Sequence, residues 1–212
     1  MKIDSIRRAV RFVGLVLPLT WTGSALGQMQ AGANAQSYGV AVSTATVNQK
    51  TPSAVLPVEG TMAVDRASDV TVAGLVTAQD VFAIVTGDAT DGSDAVSSAT
   101  LGTVSILNGL ITADGVVAMA SSTIENSNAE GSSLANLVVN GTQVDDPAPN
   151  TRLDLPGGGY VVLNEQIPTS GGITVNMIHV VMQQPVVGVL GGVTGYRTTG
   201  NIIIGSASSS VN

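Results

Sequence analysis

The chain has 212 residues, 44% of them hydrophobic, which is enough material for a buried core and excludes global disorder. Aromatic residues make up only 3% and charged residues 11%, so the apolar content is almost wholly Val, Ala, Ile, Leu and Met, side chains that suit thin, closely stacked sheets. The absence of Cys removes disulfides, thiolate metal sites, iron–sulfur clusters, thiol catalysis and a lipidated cysteine anchor from consideration.

At the N-terminus Lys2, Arg7, Arg8 and Arg11 precede the apolar run Phe12 to Leu19, which is too short to span a bilayer. This reads as a secretion signal occupying residues 1–35, with an uncleaved anchor as the competing reading. Arg7-Arg8 hints at twin-arginine export, but the flanking residues match that signal poorly. Two cleavage sites offer themselves: after Ala25-Leu26-Gly27, and after Ala33-Asn34-Ala35, the latter preferred as the better small-x-small signal. Removing residues 1–35 leaves 4 basic against 14 acidic residues, a net charge of −10. Such a surface repels nucleic acid and anionic lipid, and no second apolar run of membrane length follows.

From Gln36 onward, short β-branched runs alternate with Gly, Ser, Asn and Pro, and helical periodicity is weak. Gly74 to Ala83 and Gly109 to Ala118 repeat the pattern Gly-Leu-x-Thr-Ala-x-x-Val-x-Ala at an offset of 35 residues. Within the second copy Asp114-Gly115 is a candidate hairpin turn, a bend in a long strand being the alternative. Asn140-Gly141 signals a further turn, and loops are expected at 87–98, 125–133 and 145–150. Pro156-Gly157-Gly158-Gly159 separates two strand-like runs as a hairpin tip. Ile173 to Met182 and Ile202 to Ile204 are apolar at successive positions, the pattern of central strands covered on both faces. The expectation is an all-β fold, a single β-sandwich-like domain of short antiparallel strands over 36–212, with a β-solenoid as the alternative.

Residues able to do chemistry are few. His179, the only histidine, sits in an apolar strand with no Cys nucleophile or second general base in sequence reach, so it reads as a hydrogen-bonded structural residue, and no catalytic residue is assigned. No Ser occupies a Gly-x-Ser-x-Gly elbow. The triple glycine lacks the Lys-Ser/Thr of a phosphate loop. With Tyr38, Phe82, Tyr160 and Tyr196 as the only aromatics beyond the leader, a stacked sugar cleft is poorly supported. Asp88, Asp91 and Asp94, with Gly92 between them, are the candidate calcium ligands, though the spacing departs from the EF-hand pattern, no Glu closes the loop, and a solvated acidic loop is the preferred reading. Asp145-Asp146 is a weaker case. Asn164, Glu165 and Gln166 form the most distinctive polar triplet, a candidate ligand site whose simpler role is to satisfy nearby turn backbones.

Leu155-Pro156-Gly157, Leu163-Asn164-Glu165-Gln166, Val175-Asn176 with His179, Gly205-Ser206-Ala207 and the preceding Pro149-Asn150 resemble, in order and wording, the bacterial surface proteins of the choice-of-anchor P family. The likeness runs from Tyr38 to Ala207 and is specific in the C-terminal third. It implies an extracellular domain joined to varying anchors, with no established activity. The chain departs from many members in ending at Ser208 to Asn212 without a sorting motif or hydrophobic tail, which favours release or non-covalent surface association.

Taken together, the expectation is a secreted or cell-surface, non-enzymatic domain with a structural, adhesive or matrix-forming role and no resident cofactor. Its partners would be cell-surface or matrix proteins or copies of itself, not nucleic acid. Donation of a terminal strand, Gln36 to Val47 or Gly200 to Val211, is one form that assembly would take. A calcium-dependent binding module and a secreted hydrolase of unfamiliar type are the alternatives.

Overall fold

The computed structural model describes residues 32–88, 92–189 and 191–212. Residues 1–31, and with them the cleavage site expected after Gly27, lie outside the described residues. The fold is an all-β sandwich of two antiparallel sheets that are not closed into a barrel. It is not a solenoid.

The first sheet, sheet A, carries the strands in the order β11 (Thr151–Asp154), β12 (Tyr160–Thr169), β13 (Gly172–Val187), β14 (Val193–Val211), β1 (Ala33–Thr44), β2 (Asn48–Val55). The second, sheet B, has the order β10 (Thr142–Gln143), β9 (Val138–Val139), β6 (Ile111–Thr123), β5 (Asp94–Ile106), β4 (Val76–Gly87), β3 (Met62–Val72), with β7 (Ser127–Asn128) and β8 (Ser133–Leu134) as small additions to β6. Strand order around the sandwich therefore follows chain order, and the circuit is closed by β1 pairing with β14 from Ala33↔Val211 to Thr44↔Gly200. Ala33 and Ala35 of the preferred cleavage site are buried members of β1.

The turn chemistry lies where composition places it. Asn140 (φ 50°) and Gly141 (φ 75°) join β9 to β10, two successive positive φ values being what a tight hairpin requires. The Pro156-Gly157-Gly158-Gly159 tip links β11 to β12, with the Leu155 amide donating to the Gly159 carbonyl at 2.8 Å. The two repeat copies are equivalent turn-and-strand units that open β4 and β6. Asp114-Gly115 is not a hairpin, however. Strand β6 runs through it, and Gly115 (φ 73°) is a bend. The acidic loop expected at 87–98 is shorter, since β5 begins at Asp94, and 125–133 contains β7 and the start of β8.

That bend belongs to a crease crossing both sheets. In a regular strand alternate residues face inward, but here the inward residue steps by three at mid-strand. Ser37 and Val40 of β1 are both buried, as are Ala78 and Val81 of β4, Leu101 and Val104 of β5, Ala113 and Val116 of β6, Val175 and Ile178 of β13, and Ile204 and Ala207 of β14. Left-handed backbone at Asp80 (φ 51°) and Gly115 in sheet B, and at Asn164 (φ 48°) and Gly205 (φ 62°) in sheet A, makes the switch on alternate strands. The two creases interlock. A Cβ on Gly205 would lie 2.9 Å from Val116 Cγ1, and a Cβ on Gly39 would collide with Val81 Cγ1, so the Val that each repeat copy places after its bend fits a glycine of the opposite sheet.

The crease also accounts for the apolar runs. Ile173, Val175, Ile178 and Val180 all point into the core because the alternation shifts between them, which mimics a strand buried on both faces. Strands β13 and β14 are indeed central in the pairing, but Thr174 and His179 lie half-buried on the outer surface of sheet A. Nor is either terminal strand spare for donation, since β1 is paired with β2 and β14, and β14 with β1 and β13. Beyond Gly200 and Met182, β13 and β14 continue as a two-stranded ribbon, with Gln183↔Thr198 to Val187↔Val193 paired only to each other.

Candidate functional site

A polar chain crosses the outer face of sheet A along the crease. The register aligns Glu165 of β12, Asn176 of β13, Ser206 of β14 and Tyr38 of β1 in a single row. Because the alternation shifts at Met177, His179 emerges on the same face as Asn176, whereas regular alternation would place residues three apart on opposite faces. Glu165 Oε2 accepts from Asn176 Nδ2 at 2.7 Å and lies 3.0 Å from His179 Nδ1. Ser206 Oγ donates to Asn176 Oδ1 at 2.7 Å, and His179 Nε2 lies 3.3 Å from Asn201 Oδ1. Lys50 Nζ stands 4.4 Å above the Tyr38 ring at the far end of the row, a cation–π contact.

The charges in this row support one another. The hydrogen bond from His179 holds the Glu165 carboxyl below its usual range, aided by Asn176 and opposed by burial. In return, the bond to Glu165 raises the His179 imidazole above its ordinary value against the effect of burial, with Asn201 contributing on the other nitrogen. Burial pushes the Tyr38 phenol up, the hydrogen bond to Ser206 opposing the shift and the Glu165 charge adding to it. As an imidazolium His179 donates from both nitrogens, to Glu165 and to Asn201.

The other two members of the polar triplet do different work. Asn164 Nδ2 donates to the Pro147 carbonyl at 3.3 Å, and Gln166 Nε2 donates to Asn164 Oδ1 at 3.1 Å. The Gln166 amide donates to Asn150 Oδ1 at 2.9 Å, while the Asn150 amide donates to the Asn164 carbonyl at 2.9 Å. Asn164 and Gln166 thus lash the 147–150 loop to β12, the turn-satisfying role expected of the triplet, whereas Glu165 turns to side chains of β13. Of the residues carrying the family resemblance, Asn150, Asn164, Glu165, Gln166, Asn176, His179 and Ser206 meet in these two adjoining networks, whereas Leu155-Pro156-Gly157 form the β11–β12 tip. What the sequence reading missed is the Glu165–His179 pair. The Thr169↔Gly172 hairpin fixes which residues of β12 and β13 oppose each other, and counting outward from it puts Glu165 opposite Asn176. Only the crease then brings His179 alongside.

Chemically the pair is a preorganised acid–base couple whose atoms are engaged. Ser206, the nearest hydroxyl in the row, is bonded to Asn176 rather than to the imidazole, so the geometry is that of a cross-strand clasp. Of the calcium candidates, Asp91 lies outside the described residues. The Asp88 carbonyl accepts from the Gly92 amide at 3.1 Å, and Asp94 Oδ1 accepts from Ser93 Oγ at 3.2 Å. Among the described residues no group of three His, Cys, Asp or Glu side chains is placed to hold a metal, and no helix is long and apolar enough to cross a membrane.

On the outer face of sheet B an open depression of about 510 Å³ is floored by hydroxyls and amides, including Thr71, Thr77, Thr103 and Gln79, with Asp69 and Asp114 at its two ends. Its polar groups are partly satisfied among themselves, Thr103 Oγ1 donating to Gln79 Oε1 at 3.1 Å. Apolar exposure is concentrated elsewhere. Met62, Val64, Phe82 and Ile84 lie on the adjacent strands β3 and β4 of sheet B, with Val55 at the end of β2 and Val58 in the loop that follows it, and Val186, Val187, Val189, Val193 and Tyr196 lie on the ribbon and its turn; Ile124 and Ile167 are the only other exposed large hydrophobics among the described residues.

Compared with models of known protein families, with curated proteins and with solved structures, the chain matches none.

Proposed function

We propose that this chain is an exported domain that acts by contact, in a surface structure, adhesive layer or matrix, rather than by turnover. The observation that carries this reading is the distribution of exposed apolar side chains. Among the described residues most of them gather in two stretches, on β3 and β4 and on the ribbon, whereas the Glu165–His179 acid–base pair is engaged in a clasp across sheet A. Exposed apolar side chains grouped on adjacent strands in this way mark sites of association. The basic leader followed by a short apolar run supports export, and the lack of Cys suits any compartment. Membership of the choice-of-anchor P family is part of the same proposal, supported by the convergence of the resembling residues on the Asn150–Asn164–Gln166 and Glu165–Asn176–His179 networks.

The experiment is fractionation of the producing cells with an antibody to the folded domain, combined with the intact mass of the recovered chain. The expected result is a leader-free species in the culture fluid or at the cell surface. Recovery of the full-length chain from the cytosol overturns the proposal.

A further inference from the structure

The two apolar patches are separated along β14: the ribbon projects beyond Gly200, and the other patch lies in the half of the sandwich toward Val211. Strand β14 runs the length of sheet A, leaving the ribbon at Gly200 and ending beside Ala33 at Val211. The other patch belongs to that distant end. Val55 pairs with Gln36 and Met62 with Thr86, while Ala83 and Val85 pack with Ala33, Ala35 and Val211 in a small core of their own. Eleven residues of strand, at about 3.3 Å each, put roughly 36 Å between the ribbon's base and this end, and the ribbon reaches a further ~17 Å outward. The patches also differ in charge. From Gln183 to Gly200 there is no acidic residue and one basic residue, Arg197, whereas Glu59, Asp65, Asp80, Asp88 and Asp94 lie in or near the segments that form the distant patch, with Arg66 among them.

We infer that the β13–β14 ribbon of one copy docks on the Met62–Ile84 patch of a second copy, joining molecules head to tail. This rests on the contact role proposed above and names its partner. The ribbon supplies Val186, Val187, Val193 and Tyr196 on two strands that, among the described residues, pair only with each other, and the open outer edges of such a ribbon are a ready template for association. The distant end supplies Met62, Val64, Phe82 and Ile84, which the register places on adjacent strands. The acidic side chains around them complement Arg197 and repel a second acidic end, so like ends do not meet. A contact between different surfaces does not close on itself unless a rotation makes a ring, and otherwise it propagates as an open filament. Two short strands bury less than the ~1,600 Å² typical of a stable complex, so assembly is concentration-dependent.

The test uses the exported chain, freed of its leader, in light scattering and electron microscopy from micromolar to millimolar concentration. The expected result is a mass that climbs without a ceiling, together with linear particles. Val193→Glu on the ribbon and Val64→Glu on the distant patch change exposed positions, 57% and 53% accessible, so each variant should keep the parent's circular dichroism and melting point. Each alone is expected to stay monomeric. Mixing the two is expected to give a species of two copies and no more, because one intact ribbon then meets one intact patch. A parent that is monomeric throughout overturns the inference while leaving the contact role standing. A dimer that survives Val64→Glu also overturns it, because that pairs like ends, whereas cytosolic retention of the chain fails the underlying proposal instead.

Discussion

Replacing Gly205 by Ala tests whether the interlocked creases hold the sandwich together. Gly205 sits at φ 62°, where a side chain costs about 1–2 kcal/mol. Its added Cβ would lie 2.9 Å from Val116 Cγ1 and 3.6 Å from both Leu101 Cδ1 and Met177 Cβ, in a core where Val116 is fully buried. Overpacking of that kind costs roughly a further 1–3 kcal/mol, so the total is about 2–5 kcal/mol against a stability of about 5–15 kcal/mol for an ordinary domain. The internal control is Gly74→Ala, whose φ of 72° is similar but whose Cβ would meet nothing within 4 Å. Urea unfolding of the two variants isolates the steric part as their difference. Adding Val116→Ala to Gly205→Ala should recover it, giving a coupling of at least about 1 kcal/mol in a double-mutant cycle. If Gly205→Ala and Gly74→Ala agree within about 0.5 kcal/mol, the interlock is not a source of stability and the reasoning fails.

The clasp on sheet A predicts a pH profile. Glu165, whose folded value is lowered, contributes stability above its unfolded value near 4.3 and loses it as pH falls through the folded value, while His179, whose value is raised, contributes below about 6.5 and loses it as pH rises through the folded value. Thermal melting should therefore be highest between those two unfolded values, and Glu165→Gln should flatten both limbs; an unaltered profile in that variant would count against the clasp. For the mature N-terminus, β1 favours cleavage after Gly27, since cutting after Ala35 would remove two buried alanines and the Ala33↔Val211 pairing. The exported chain should begin at Gln28, and an intact mass starting at Gln36 would refute this. Chelation provides the remaining check: on the proposed contact role without a resident metal, excess chelator should leave the melting midpoint in place, and a fall reversed by added calcium would support the calcium module instead.

Turn residues were the most legible part of the chain. Asn140-Gly141 and Pro156 to Gly159 state their conformations locally, because positive φ and fixed φ belong to those residue types. The repeat was visible too, but not its meaning. Asp114-Gly115 reads as a turn in isolation, and only the pairing of β6 with β5 on both sides of it shows a bend instead. The crease was hidden for the same reason. A shift of inward residues from every second to a single step of three leaves a mark in each strand that looks like ordinary apolar richness, as at Val175 and Ile178, and its alignment across strands is a property of register. The Glu165–His179 contact inherits that difficulty. Its members lie 14 residues apart on two strands and share a face only because of the bend.

The union of β1 with β14 carries a consequence for how the molecule is made. A polypeptide synthesised or threaded through a pore presents Ala33 early and Val211 late, so the strand that emerges first waits for nearly the whole chain before it finds one of its two neighbours. Closing so long a loop is entropically costly and slow, and until it closes sheet A is left in two pieces. Such delayed closure leaves β1 with a single neighbour, β2, until β14 arrives, and completion of sheet A waits on that pairing.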